Sequence, residues 1–296
     1  MAHPVWQLVR GGNIIVGTLT VSVGAIMVTT SFTNVQLALI LLHSLCVATF
    51  MAAWNTFNDV QDHENDALNH PERPIPSGAL SLDMAKNIGR FSFLLSFIFL
   101  VAAFIVTVNY TEDVGSWLPS IGIWIVAVLL MFHYEIVSPN SLMLKHKGLA
   151  GNLAISLLVG IVIVFGAAAV SGIMTPLVWL VALVAMLVNA AREIVKDVED
   201  LEGDIDRQTL PKKIGPDRAR GVAQLFVLAA LIPIVAPYAR GLLPMGMLIA
   251  QTPAMFLLVT VKPKLYRGED YGAQRSLRMA MMLGLLGFLA SVLIPI

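Results

Sequence analysis

The sequence predicts an all-α, polytopic membrane protein with nine transmembrane helices. Three observations predict it. Of 296 residues, 57% are hydrophobic and 13% charged, about half the charge of an average soluble domain, and mean hydropathy is +0.79. Apolar runs long enough to cross about 30 Å of hydrocarbon recur along the whole chain. The basic residues fall almost entirely on one side of the layout those runs define.

The runs are read at residues 14–32, 35–58, 83–107, 115–132, 149–171, 175–197, 216–237, 241–261 and 276–295. The first has no small-residue cleavage site after it and is long enough to span, so it is expected to be a retained helix rather than a cleavable leader. The second carries the sole cysteine, Cys46, which has no partner in the chain and is expected to serve as a small packing residue. Tight connections at Thr33, Thr175 and Gly241 separate three pairs of neighbouring runs. Between the second and third runs lies Asn69-His70-Pro71-Glu72-Arg73-Pro74-Ile75-Pro76-Ser77-Gly78, whose three prolines stop a helix and stiffen the loop around Arg73.

With a cytoplasmic N-terminus, the outward connections hold only Arg240 among 19 Lys and Arg residues, and only Glu112 and Asp113 among 19 acids. The positive-inside rule therefore orients the chain in the cell membrane with its N-terminus and its charged loops cytoplasmic. Both signs of charge gather there, which orientation alone does not require, so the chemistry is expected on that side. No nucleic-acid partner is expected.

The second run ends in Asn55-Thr56-Phe57-Asn58-Asp59-Val60-Gln61-Asp62-His63-Glu64-Asn65-Asp66. Asp59, Asp62 and Asp66 stand at i, i+3 and i+7, one face of a continuous helix. Three like charges on one face repel, and a multivalent cation would offset that repulsion. The sixth run ends in Arg192-Glu193-Ile194-Val195-Lys196-Asp197-Val198-Glu199-Asp200-Leu201-Glu202-Gly203-Asp204, where Asp197, Asp200 and Asp204 repeat the spacing. A solvated helix end has no reason to repeat its spacing. Two such faces opposed across a shared cavity would suit a hard cation, and Mg²⁺ takes one or two carboxylates together with substrate phosphate oxygens. No His or Cys cluster accompanies the acids, which argues against zinc. His63, His70, His133 and His146 lack ligand spacing and are expected in loops or at interfaces.

Basic and polar residues surround both sets. Arg73, Lys145 and Lys147 lie in neighbouring connections, and Arg192 and Lys196 sit one turn apart just before the second set. Cation, carboxylates and fixed bases together can hold a diphosphate and stabilise its departure. Asn152, entering the fifth run, is either a helix-start hydrogen bonder or a substrate contact, and Asn13 raises the same question at the first run.

Asn58-Asp59-Val60-Gln61-Asp62-His63-Glu64-Asn65-Asp66 with Arg73-Pro74-Ile75-Pro76-Ser77-Gly78 resembles the first signature of the UbiA-type intramembrane prenyltransferases, with Asn58, Asp62 and Asp66 at the family's four-residue intervals. The stretch 192–204 and the later Thr209-Leu210-Pro211 resemble the archaeal digeranylgeranylglyceryl phosphate synthase branch. The resemblance spans nearly the whole chain and implies one intramembrane domain over 1–296, with nine helices ringing a central cavity under a cap of cytoplasmic loops. It implies that Asp59, Asp62, Asp66, Asp197, Asp200 and Asp204 hold Mg²⁺ on a prenyl diphosphate, with Asn58, Arg73 and Lys145 on its phosphates. Asp62, Asp66, Asp200 and Asp204, with Arg73 and Lys145, are then the expected catalytic residues, and Asn13, Asn55, Asn152, Arg192 and Lys196 further substrate contacts. The implied reaction moves a geranylgeranyl group to the hydroxyl of geranylgeranylglyceryl phosphate. Gly11 departs from the family in standing where proline commonly follows the arginine.

Two other functions fit parts of the pattern. An aromatic acceptor would suit the same fold, but having no phosphate it would not need the extra bases near Arg192 and Lys212. A cation transporter would place its acids near the bilayer midplane on broken helices, whereas both sets here lie at the ends of runs.

Overall fold

The computed structural model describes residues 3–111, 113–201 and 207–294, without the side chains of Asn65 and Asn69. Regular structure among these residues is entirely helical: α1 (Pro4–Leu8), α2 (Gly11–Ile26), α3 (Asn34–Gln61), α4 (His63–Asn69), α5 (Leu82–Tyr110), α6 (Leu118–Glu135), α7 (Leu149–Ala168), α8 (Pro176–Glu199), α9 (Leu210–Ile214), α10 (Pro216–Ala239), α11 (Thr252–Tyr266) and α12 (Asp270–Leu293). Short 3₁₀ turns, Val114–Trp117 and Met245–Gln251, lead into α6 and α11.

Among the described residues eight helices are long and apolar enough to cross a membrane: α3, α5, α6, α7, α8, α10, α11 and α12, with α6 and α11 counted together with their lead-in turns. The first expected span, 14–32, corresponds to α2, which stops at Ile26 after 16 residues, about 24 Å at 1.5 Å per residue. Thr29-Thr30-Ser31 are compatible with an apolar run yet poor helix formers, threonine because its branched Cβ restricts χ1 in a helix and serine because its hydroxyl competes for backbone hydrogen bonds. The tight connections behave as the sequence suggests. Thr33 caps α3 in a reciprocal capping box with Gln36, Thr175 precedes the first-turn proline of α8, and Gly241 turns the chain after α10 at φ 69°.

The chain folds as two compact units, 1–25 with 31–125 and 165–173, and 26–30 with 126–164 and 174–296. In the first, α5 packs along α3. Gly89 lies under the Phe57 ring, where a side chain would collide. Trp54 meets Phe57 and Phe93 edge-on, with centroids 5.5 and 6.2 Å apart. Buried Cys46 fills this interface, its Sγ 3.4 Å from Ser96 Oγ. Gly166 of α7 rests directly on the Val21 carbonyl of α2, leaving no room for a Cβ.

In the second unit α8 is central, with α10 and α12 packed on it and α11 on α12. Its buried residues run from Leu177 to Val198. Gly160 of α7 faces the Ala182 carbonyl of α8 with the same lack of space. Three polar side chains buried in this unit pair with one another, which lowers the cost of placing them away from water: Tyr238 Oη and Ser291 Oγ are 2.8 Å apart, and Gln251 Nε2 donates to Tyr238 Oη at 3.2 Å.

Candidate active site

Among the described residues, each acidic set reaches the end of its helix at its middle aspartate. Helix α3 ends at Gln61 with Asp62 as its C-cap at φ −86°, ψ 3°, and α8 ends at Glu199 with Asp200 as its C-cap at φ −84°, ψ 4°. The expected single helical face is therefore broken at the middle aspartate each time. In the first set the turn-to-turn hydrogen bonding still carries across the break, with Asp62 N donating to Asn58 O at 2.9 Å and Asp66 N to Asp62 O at 2.8 Å. Asp204, the last member of the second set, lies outside the described residues, as does Glu112.

The repulsion expected within the first set is offset by arginines. Arg10 Nη2 donates to Asn58 Oδ1 and to Asp59 Oδ1, both at 2.8 Å, and Arg73 Nη1 donates to Asp66 Oδ2 at 2.6 Å. Asn58 in turn donates to Asp62 Oδ2 at 3.1 Å. Arg10 is a residue that motif reading passed over. A signal was present, since it is the only Lys or Arg before Arg73. Asn55, expected on substrate, instead donates through Nδ2 to the Val9 carbonyl at 2.8 Å. It thereby fixes the turn that presents Arg10, whose φ of 54° marks a sharp reversal between α1 and α2. Gly11 has its own reason: the Trp6 ring occupies the space a Cβ would need. Asn13 stands exposed in the first turn of α2.

In the second set Asn152, in the first turn of α7, donates through Nδ2 to Asp197 Oδ2 at 2.8 Å. Behind it a buried chain continues: Ser156 Oγ donates to Asn152 O at 2.6 Å, and Asn189 Nδ2 to Ser156 Oγ at 3.1 Å. Asn152 Oδ1 is buried with no hydrogen-bond partner among the described residues. Lys196 approaches Asp200 at 4.0 Å. Arg192 pairs with Glu193 at 2.6 Å and reaches Gln274 at 3.4 Å. Asp59 and Glu193 thus each carry an arginine. Lys145 sits in the 3₁₀ turn Leu144–His146 with its Nζ on Glu135 Oε1 at 2.7 Å, both side chains almost fully buried. Thr209-Leu210-Pro211 opens α9 and lies against Gly148, whose φ of 58° and close approach to the Leu210 backbone leave no place for a side chain.

Of the histidines, His63 bonds the Val60 carbonyl and His133 accepts from Leu142 N, local roles in keeping with their spacing. Among the described residues no three His, Cys, Asp or Glu side chains converge as a ready metal cluster. The donor set is nonetheless oxygen-only, and Asn152 Oδ1 is an unsatisfied buried oxygen beside Asp197. That chemistry fits a hard divalent cation.

Acidic residues thus close two long apolar helices with basic side chains nearby. The chain belongs to the UbiA prenyltransferase family, whose model matches residues 17–293. It is accordingly a multi-pass membrane enzyme of the prenyltransferase class. Among its relatives it is similar to the digeranylgeranylglyceryl phosphate synthase of Methanopyrus kandleri, 35% identical over 83% of this chain and 84% of that one. It is 32% identical to the synthase of the same name from Thermococcus kodakarensis, over 97% of each chain. A solved structure of a digeranylgeranylglyceryl phosphate synthase superposes with a TM-score of 0.73 at 25% identity, covering 98% of this chain and 97% of that one. A UbiA homologue from Archaeoglobus fulgidus, solved with GPP and Mg²⁺, shares the fold at TM-score 0.62 and 16% identity, covering 98% and 100%.

Proposed function

We propose that this enzyme transfers a geranylgeranyl group from geranylgeranyl diphosphate to the free hydroxyl of geranylgeranylglyceryl phosphate, releasing diphosphate, as a step in archaeal ether-lipid synthesis. The observation that carries the proposal is the twin construction of the acidic helix ends, α3 closing on Asp62 and α8 on Asp200, with a hydrogen-bonded aspartate three residues before each. The relatives named for this synthase favour the phosphorylated glycerol acceptor over an aromatic one, as do the bases around Arg192 and Lys212.

In this reading Asp59, Asp62, Asp66, Asp197, Asp200 and Asp204 hold Mg²⁺, the ion that the A. fulgidus homologue carries together with GPP. Bound there, the ion would supply charge neutralisation for the departing diphosphate. Arg10, Arg73, Arg192 and Lys196 contribute positive charge toward the phosphates, and Asn58 and Asn152 orient the carboxylates beside them. The allylic C–O bond breaks with its electron pair leaving on diphosphate. The acceptor hydroxyl oxygen bonds to the allylic carbon and loses its proton, which the released diphosphate takes up. Apolar helices exclude water, which would otherwise capture the allylic cation. The N-terminus and both acidic helix ends are assigned to the cytoplasmic side, and the two units to one functional domain.

Purified protein is to be incubated with geranylgeranyl diphosphate, Mg²⁺ and each acceptor class in turn. Ether product with geranylgeranylglyceryl phosphate alone is expected. Asp62→Ala and Asp200→Ala should each lower turnover at least about a hundredfold. Product with only an aromatic acceptor, or full turnover in both variants, would overturn the proposal.

A further inference from the structure

We propose that Arg10 and Arg73 are stored on Asp59 and Asp66 and change partner when substrate arrives. The diphosphate draws both guanidinium groups away, and only then can those carboxylates take a cation. The inference rests on the function proposed above and adds an order to it: on this half of the site, metal binding depends on the anion.

Two features of the pairs point this way. The acids are inside and the bases are half out. Asp59 and Asp66 side chains are 7% and 9% exposed, whereas Arg10 and Arg73 are 38% and 33% exposed. Each arginine also reaches in from outside α3, one from the reversal at φ 54° and one from the proline loop. A guanidinium fork suits carboxylate and phosphate equally well, so the transfer exchanges one charge-assisted partner for another of the same geometry. A divalent ion placed on either carboxylate with its arginine still attached would sit beside a like charge. Diphosphate removes that conflict by giving the arginines a better anion. Coupling of this kind is reciprocal, so the metal must strengthen diphosphate binding by the same factor.

The test uses the full chain in detergent with Mn²⁺ as probe, free ion being read from its paramagnetic resonance signal and no diphosphate added. The double variant R10Q/R73Q is expected to bind Mn²⁺ roughly tenfold more tightly than the wild type. In the presence of chelator the same variant should lose affinity for inorganic diphosphate. Adding D59N and D66N to it must remove the gain in Mn²⁺ binding. If R10Q/R73Q binds Mn²⁺ no more tightly than the wild type, the exchange is overturned while the proposed function stands. If the gain survives D59N and D66N, these carboxylates do not hold the metal and the proposed site fails with it. Should the double variant not fold, R10Q and R73Q are read singly, each expected to tighten Mn²⁺ about fivefold, and absence of any gain in both overturns the exchange.

Discussion

At the residue scale, Lys145 is the position where expectation and surroundings diverge most. Matching it to a phosphate-binding lysine implies an accessible ammonium, yet Nζ lies on Glu135 with side-chain exposures of 4% and 2%. Removing one partner of a buried ion pair costs about 3 to 5 kcal/mol in soluble proteins. Lys145→Met should therefore lower the midpoint of thermal unfolding in detergent, and Lys145→Met with Glu135→Leu should recover much of it. If Lys145 instead holds phosphate, the single variant would raise KM for the diphosphate with little change in unfolding temperature. The acids themselves were conspicuous in the sequence, because charge is rare in this chain and the spacing repeats. Their partners were not legible. Arg10 reaches Asp59 across 49 positions and Asn152 reaches Asp197 across 45, and no local pattern encodes such an approach.

At the element scale, hydropathy located the middle of every long helix, but it could not find the ends. Apolarity continues through Met27 to Ser31 although α2 has stopped, and it fades at Phe57 although α3 continues to Gln61. Helix termini are set by capping, which works residue by residue, so Asp62 and Asp200 became ends rather than steps along one face. Glycine packing was equally hidden. Nothing in the sequence separates Gly166, pressed on the Val21 carbonyl, from Gly12, which has open space around its Cα. Gly166→Val should prevent accumulation of monodisperse protein on size exclusion in detergent, whereas Gly12→Ala should leave the elution profile unchanged. Equal behaviour of the two would show that the α2–α7 contact is not tight.

At the scale of the whole molecule, the proposed asymmetry of charge is read from composition, order and the count of runs. The division into two compact units was not, because its boundaries fall inside α2, α6 and α7 as well as in the connections after α2 and α7. The proposed orientation has a direct test. Cys46 is the sole cysteine and is buried, so a Cys46→Ala background is silent to thiol reagents. Arg240→Cys in that background should react with a membrane-impermeant maleimide in intact cells, and Lys212→Cys only after permeabilisation; the reverse would invert the chain. The shortness of α2 reaches beyond the protein itself. A 16-residue helix showing Ile15, Val16 and Leu19 on its surface, in a chain whose next long helices have 28 and 29 residues, is shorter than hydrocarbon of about 30 Å, a mismatch met by bilayer thinning or by snorkelling of flanking residues. The turn that carries Arg10 opens this helix, so if α2 lies in the bilayer, a change of bilayer thickness would shift the depth of that charge.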